Sequence, residues 1–209
     1  MKLYFSPGAC SLSPHIALRE AGLPFDLERV DLRAKRTATG ADFWTINPKG
    51  YVPALRLDDG PILTEGSVIV QWIADQRPET NLIPPAGTLE RYRVLEWLAF
   101  IATELHKGIA PLYSPLLSPE AKAGTREKLA SRFSILGKAV EDRPFLMGAT
   151  FTVADGYAFY TLRSWQRSVK PELPAASLQA YFDRIAARPA VRAALEAEAA
   201  SAAVPRPEG

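Results

Sequence analysis

In the first eighty residues, short apolar runs alternate with a helical pattern. Leu3-Tyr4-Phe5 reads as a strand closed by the Ser6-Pro7-Gly8 turn. A helix follows from about Ser11 to Glu20 and is closed by Gly22. Ser11 or Ser13 can cap it, and Pro14 falls in its first turn, where a missing N–H costs little. Phe25 to Leu32 alternates as a second strand, and a helical crossover makes the two strands parallel. Arg33 to Gly40 reads as a polar loop and Asp42 to Ile46 as a short irregular helix. Ala54 to Leu57 and Ile62 to Thr64 flank Asp58-Asp59-Gly60 as a hairpin. Ser67 to Gln76 is a helix with Val68, Ile69, Trp72 and Ile73 on its buried face. The predicted order is βαβ, then ββα.

Between Arg77 and Gly87 the composition shifts to Pro78, Pro84, Pro85 and Gly87, the signature of a linker. Beyond it the periodicity is helical. Leu89 to about Leu117 is one long amphipathic stretch, bent near Gly108 and Pro111. Pro119 to Val140, Val153 to about Gln166, Leu178 to Ala187 and Pro189 to Ala200 follow, ahead of an Ala-rich, Pro-ended tail expected to fray. The division is an α/β domain over 1–78, a linker over 79–87 and an all-α helical bundle over 88–209.

Composition narrows the function classes. The chain has 209 residues, 47% hydrophobic and 23% charged, enough for one large domain or two small ones. Lys+Arg 25 against Asp+Glu 23, with no basic block, argues against nucleic acid. No stretch is long and apolar enough to span a bilayer, and the first residues lack the pattern of a signal peptide, so a cytoplasmic protein is expected. The single cysteine, Cys10, excludes an intramolecular disulfide, and with only His15 and His106 no Cys/His metal site is expected.

The densest chemistry lies between Asn47 and Ser67. Val52-Pro53 is a candidate cis peptide before a strand. It would turn the Val52 N–H and C=O outward, free to take an extended peptide as an added strand. Glu65-Gly66-Ser67, where strand gives way to helix, offers backbone donors to a carboxylate and, through Glu65, an acceptor to an amine. A carboxylate, an amine and an extended backbone describe a small peptide with a free amino-acid end. At the start of the first helix, Cys10 meets a dipole and N–H groups that favour a thiolate. Ser13 stands where a dithiol enzyme places its resolving cysteine, so Cys10 can form a mixed disulfide without resolving it. On the residues alone, blander readings stay open: a small buried thiol at Cys10, a packed His106, a helix-end acid at Glu65 and a solvated loop charge at Lys35.

Motifs along nearly the whole chain carry a family resemblance. They are Pro7-Gly8-Ala9-Cys10-Ser11-Leu12-Ser13-Pro14-His15-Ile16, Asn47-Pro48-Lys49-Gly50, Val52-Pro53-Ala54-Leu55, Leu63-Thr64-Glu65-Gly66, Glu96-Trp97-Leu98, Thr103-Glu104-Leu105-His106-Lys107-Gly108 and Phe151-Thr152-Val153-Ala154-Asp155. In this order the chain resembles the cytosolic glutathione S-transferases, and in detail their bacterial beta class. The resemblance implies a thioredoxin-like N-terminal domain followed by an all-α C-terminal domain, and a homodimer with no metal. It implies glutathione as co-substrate and a small hydrophobic electrophile as partner, in detoxification.

The same resemblance implies residue roles. Cys10, Ser11 and His106 would act at the sulfur, Val52 and Pro53 along the peptide backbone, and Glu65, Gly66 and Ser67 at the γ-glutamyl end. Lys35 would hold the glycine end, with Thr103 and Glu104 as further glutathione contacts. Tyr113, Arg163 and Trp165 would line the electrophile pocket. Ala99 departs from the asparagine many beta-class chains carry there. Thr152 and Asp155 have capping-box spacing and a folding role, and Tyr4 is assigned to packing. The implied reaction is attack of the glutathione thiolate on an electrophile to give a thioether. A glutaredoxin-like oxidoreductase, a reductive dehalogenase using Cys10, and a non-catalytic binding protein are the other readings.

Overall fold

The structure is a computed structural model that describes residues 1–170 and 172–203. Of the Ala-rich, Pro-ended tail expected to fray after Ala200, residues 201–203 continue the last helix and residues 204–209 lie outside the described residues. Strand β1, Lys2–Phe5, buries Leu3, Tyr4 and Phe5 and sits in the middle of a five-stranded sheet. On one side it pairs in parallel with β2, Asp26–Asp31, Lys2 lying opposite Asp26. The crossover between them is helix α1, Leu12–Glu20, which buries every residue from Leu12 to Leu18. The outermost strand on this side is β3, Arg36–Thr37, antiparallel to β2. It lies within the segment expected to be a polar loop: Thr37 is buried and Lys35 turns the chain at φ 55°.

After the short helix α2, Phe43–Ile46, strand β4, Ala54–Arg56, pairs antiparallel with β1, Leu3 opposite Leu55. The hairpin then adds β5, Ile62–Thr64, at the other edge, giving the order β3-β2-β1-β4-β5. Helix α3, Gly66–Asp75, packs beside α1 and buries Ile69, Val70, Ile73 and Ala74. Val68, expected on that face, is 47% exposed. Against this sheet, Tyr4, Val30, Phe43, Val52 and Ala54 form one apolar cluster, and Tyr4 packs on Phe43.

A second unit spans Asn81–Ala187. Helix α4, Leu89–Phe100, is capped by Thr88, whose hydroxyl accepts from the Arg91 N–H. It runs into a π-helical stretch, Ile101–His106, then α5, Lys107–Ile109, and a 3-10 turn, Ala110–Tyr113. The single bent helix expected here therefore has a widened turn at its centre that periodicity does not announce. Helix α6, Pro119–Ala139, is capped by Ser118. Helix α7, Val153–Ser168, is buried along its entire first half, and α8 spans Ala176–Ala186.

The last helix, α9, Pro189–Ala203, belongs to the first unit, so the helical domain expected over 88–209 ends in packing terms at Ala187. It lies on α1 and buries Val191, Ala194 and Glu198, positions three and four apart along one face. Amphipathic spacing shows that a face is covered but not by which helix. The join includes Arg188, which grips Glu20 with two hydrogen bonds of 2.6 and 2.7 Å.

Candidate active site

β1 ends in a turn that delivers Cys10 to the mouth of α1. The Ala9 N–H bonds the Ser6 carbonyl at 3.0 Å, and Gly8, at φ 75°, donates its N–H to the Glu198 carboxylate at 2.9 Å. Half-buried Cys10 points its thiol at the Val52 carbonyl, 3.2 Å away. Ser11 does not join it. Its hydroxyl accepts from the Ser6 N–H at 3.2 Å and donates to the Ser6 carbonyl at 3.3 Å, and the residue is wholly buried. This corrects the expected catalytic role: the side chain closes the turn beneath Cys10.

The Val52–Pro53 peptide is cis, as its position before a strand suggested. Only half of the outward edge expected at Val52 is present. The residue is 6% exposed and its carbonyl is taken by the Cys10 thiol, whereas its N–H meets no acceptor among the described residues. One hairpin further along the chain, Glu65 stands at φ 68° as the N-terminal cap residue of α3. A non-glycine residue there costs roughly 1–3 kcal/mol, a strain that clusters at ligand sites. Its carbonyl accepts from Val68 and Ile69, while the Gly66 and Ser67 N–H groups find no acceptor among the described residues. The Glu65 carboxylate holds the Lys49 ammonium at 2.7 Å, so an amine is the partner it takes even within the chain. Gly66 lies over Pro53, where a Cβ would come 3.6 Å from the proline ring.

Lys35 is not a solvated loop charge. Its ammonium bonds the Gly50 carbonyl at 2.8 Å and stands 5.4 and 5.7 Å from the ring centroids of Trp44 and Tyr51. Trp44 in turn requires Gly50, since a Cβ at that residue would lie 2.5 Å from its ring. Cys10 follows β1, Val52 and Pro53 precede β4, Glu65 follows β5 and Lys35 precedes β3. With the observed strand directions, all five fall at one end of the sheet. That end presents a thiol, a free N–H, a fixed cation, and an acid beside two helix-end donors.

In the second unit, His106 ends the π-helical stretch with Nδ1 2.8 Å from the Tyr157 hydroxyl. The rings of Tyr157 and Tyr160 stand edge-on to it at 5.8 and 5.2 Å. Burial, with Lys107 beside it, lowers its pKa to about 4, so the ring is neutral at neutral pH. Thr103 and Glu104 face α6, whereas the His106 ring faces α7. They line a cleft of about 310 Å³ with Lys107, Thr125, Lys128 and Arg132, and Arg132 donates to Glu104 at 2.8 Å. Residues three apart share a face on an α-helix, but the wider π turn rotates Thr103 and His106 apart. Tyr113 is 60% exposed with its hydroxyl bonded to Ser168, and Arg163 lies half-buried over the Phe159 ring. Trp165 cannot line an open pocket. It is 1% exposed, packs on Phe133 and donates to the Glu172 carbonyl, because α7 turns that face into the core.

Tyr157, Tyr160, Trp44 and Tyr51 stand against His106 and Lys35 without a motif in the sequence that marks them. The only available signal was the spacing of Tyr157 and Tyr160, three apart on one helix face. Among the described residues no group of three or more His, Cys, Asp or Glu could hold a metal ion.

Comparison with known proteins fits this arrangement. Residues 8–76 match the family model for the glutathione S-transferase N-terminal domain, and residues 100–189 that for the C-terminal domain. Glutathione S-transferase GstA of Escherichia coli O157:H7 is 46% identical over 199 residues, 95% of this chain and 98% of that one. A sphingomonad glutathione S-transferase solved in complex with glutathione is 46% identical with a TM-score of 0.91, over 95% of this chain and 99% of that one. A bacterial beta class glutathione S-transferase from Sphingomonas chungbukensis is 47% identical with a TM-score of 0.89, over 95% and 98% of the two chains. With both domain models matched and the likeness running through the Cys10 turn and the Val52–Ser67 segment alike, the chain belongs to the glutathione S-transferase family and resembles its bacterial beta class throughout.

Proposed function

We propose that the protein conjugates the thiolate of glutathione to small hydrophobic electrophiles, with glutathione as co-substrate. The observation that carries this is the one end of the sheet where the Cys10 thiol, the Val52 N–H, Lys35 and the Glu65–Ser67 helix end are gathered. Glutathione has a counterpart for each group: a sulfur, a peptide carbonyl, a glycine carboxylate, and a γ-glutamyl end with its own amine and carboxylate. Glu65 takes the amine in place of Lys49, and the Gly66 and Ser67 N–H groups take the carboxylate. Lys35 takes the glycine carboxylate, and Val52 with Pro53 takes the backbone.

Because the thiolate is the nucleophile, donors that favour it over the thiol raise the reactive fraction. We assign His106 to that task. The support is the likeness of Thr103–Gly108 to the beta-class motif and the neutral state of the ring. Thr103 and Glu104 are kept as glutathione contacts and Tyr113 and Arg163 as electrophile contacts on the same likeness. Ser11 and Trp165 are not kept. A cytoplasmic homodimer is the working form. Leu89 and Tyr92, 64% and 59% exposed on α4, support self-association, and no helix among the described residues is long and apolar enough to cross a membrane.

The test pairs two assays on wild type and Cys10→Ser: conjugation of glutathione to a chlorinated nitroaromatic, and reduction of a glutathionyl mixed disulfide. Conjugation is expected to persist in the variant while disulfide reduction disappears. Loss of both, with glutathione still bound, would make Cys10 the working nucleophile and replace this reading by an oxidoreductase.

A further inference from the structure

The hydrogen bond between His106 and Tyr157 fixes more than a packing arrangement. Imidazole has two ring nitrogens, and which one carries the proton decides whether the other face of the ring donates or accepts. Nδ1 of His106 lies 2.8 Å from the Tyr157 hydroxyl, so Nε2 is the nitrogen left to act elsewhere. Two arrangements satisfy that distance: the phenol donates to a bare Nδ1, or a protonated Nδ1 donates to the phenol oxygen.

Acid–base strength separates them. A phenol, ionising near about 10, gives up a proton far more readily than a neutral imidazole N–H, and the bare imidazole nitrogen, basic enough to protonate near about 6.5, is a far better acceptor than a phenol oxygen. The stronger donor then meets the stronger acceptor. The partner is also held in place. Tyr157 is 4% exposed, two residues past Asp155 in the capped first turns of α7, and its ring stacks with Tyr160 at an interplanar angle of 28°. Tyr160 closes on His106 from the same helix, with ring centroids 5.2 Å apart.

We propose that Tyr157 is the positioning residue of His106: it donates to Nδ1 and fixes the ring as the tautomer with its proton on Nε2. His106 then presents an N–H and no free lone pair, so it acts on the sulfur as a hydrogen-bond donor to the thiolate rather than as the base that removes the thiol proton. This rests on the reading that His106 serves the glutathione sulfur. The neutral ring keeps the distinction meaningful, since an imidazolium would carry both protons.

The experiment uses the full chain with 15N-labelled histidine. Only His15 and His106 contribute signals, and His106→Gln assigns them. Long-range proton–nitrogen correlations at pH 7 are expected to show His106 as the Nε2–H tautomer. In Tyr157→Phe the signal is expected to become a tautomer mixture. With it, kcat for conjugation falls about three- to tenfold while KM for glutathione changes less than about twofold, the scale of one lost hydrogen bond. Tyr160→Phe, which keeps the second ring against His106, is expected to leave the tautomer unchanged.

A wild-type spectrum of the Nδ1–H form would overturn the proposal, as would a Tyr157→Phe spectrum identical to wild type. The wild-type measurement needs no variant, so it decides even if Tyr157→Phe does not fold. If His106→Gln conjugates at the wild-type rate, the assignment of His106 to the sulfur fails on kinetics alone, and the spectra still decide what Tyr157 does to the ring.

Discussion

At the level of single residues, the surroundings of His106 make a prediction about acid stability. The unfolded chain takes up a proton at this histidine as pH falls through about 6.5, whereas burial and Lys107 delay it in the folded chain to about 4. Between those values the unfolded state binds more protons, so this residue subtracts stability as pH falls through the window, by up to about 3 kcal/mol at the acid end. His106→Gln removes that penalty together with the Tyr157 hydrogen bond. In urea unfolding the variant is therefore expected to trail wild type by about 1 kcal/mol at pH 7 and to match or exceed it at pH 4.5. An equal deficit at both values would rule this out. Residues whose chemistry follows from their place at a strand or helix end were legible in the sequence: Cys10, Val52 and Glu65 stand where their order implied. Ser11 was not, because the direction of its hydroxyl depends on how the Ser6–Cys10 turn closes over it. Nor was Trp165, whose burial depends on the helix facing α7.

At the level of elements, the start of α7 shows what local spacing reveals and where it stops. Thr152 and Asp155 have the separation of a capping box, and Asp155 accepts from both the N–H and the hydroxyl of Thr152, at 2.8 and 3.0 Å. Its other oxygen accepts from the Leu146 N–H at 2.9 Å and the Tyr181 hydroxyl at 2.7 Å, which ties the cap to the preceding loop and to α8. Neither partner is legible in a four-residue motif, since tertiary packing alone brings them there. The π-helical turn in Ile101–His106 escaped for the opposite reason: its apolar spacing still satisfies an α-helical pattern. Removing one of four donors should cost less than removing the acceptor they share. Tyr181→Phe is expected to lose about 1.5–3 kcal/mol, the range for a hydrogen bond to a charged group. Asp155→Ala strands three or more buried donors and should lose more than that, with the double variant well short of additive. Unfolding midpoints in urea measure all three. Additive losses would mean that Tyr181 and Asp155 do not act through one bond.

Across the whole molecule, the first unit is discontinuous, because α9 returns to cover α1. The contact is polar at its centre, with Glu198 4% exposed and His15 fully buried. Arg19 donates to Nε2 of His15 at 2.9 Å, which places the proton of a neutral ring on Nδ1, facing a Glu198 oxygen at 3.4 Å. The second Glu198 oxygen accepts from Gly8 in the turn that carries Cys10. The C-terminal helix therefore supplies the acceptor for two donors of the N-terminal domain, the buried His15 ring and the half-buried Gly8 N–H two residues from the thiol. Removing only that carboxylate in Glu198→Ala takes the acceptor from the buried His15 ring and one acceptor from the Gly8 N–H, at about 1–3 kcal/mol for the buried ring. Ending the chain at Ala187 also uncovers the face of α1 that α9 buries. The truncated chain is accordingly expected to lose cooperative unfolding and retention on immobilised glutathione, while Glu198→Ala unfolds cooperatively at lower urea and is still retained. Equal retention and an unchanged midpoint in the truncated chain would mean that residues 1–80 fold without α9. The 80-residue segment would then be a domain in its own right, and the buried Glu198 contact would have no part in holding the Cys10 turn.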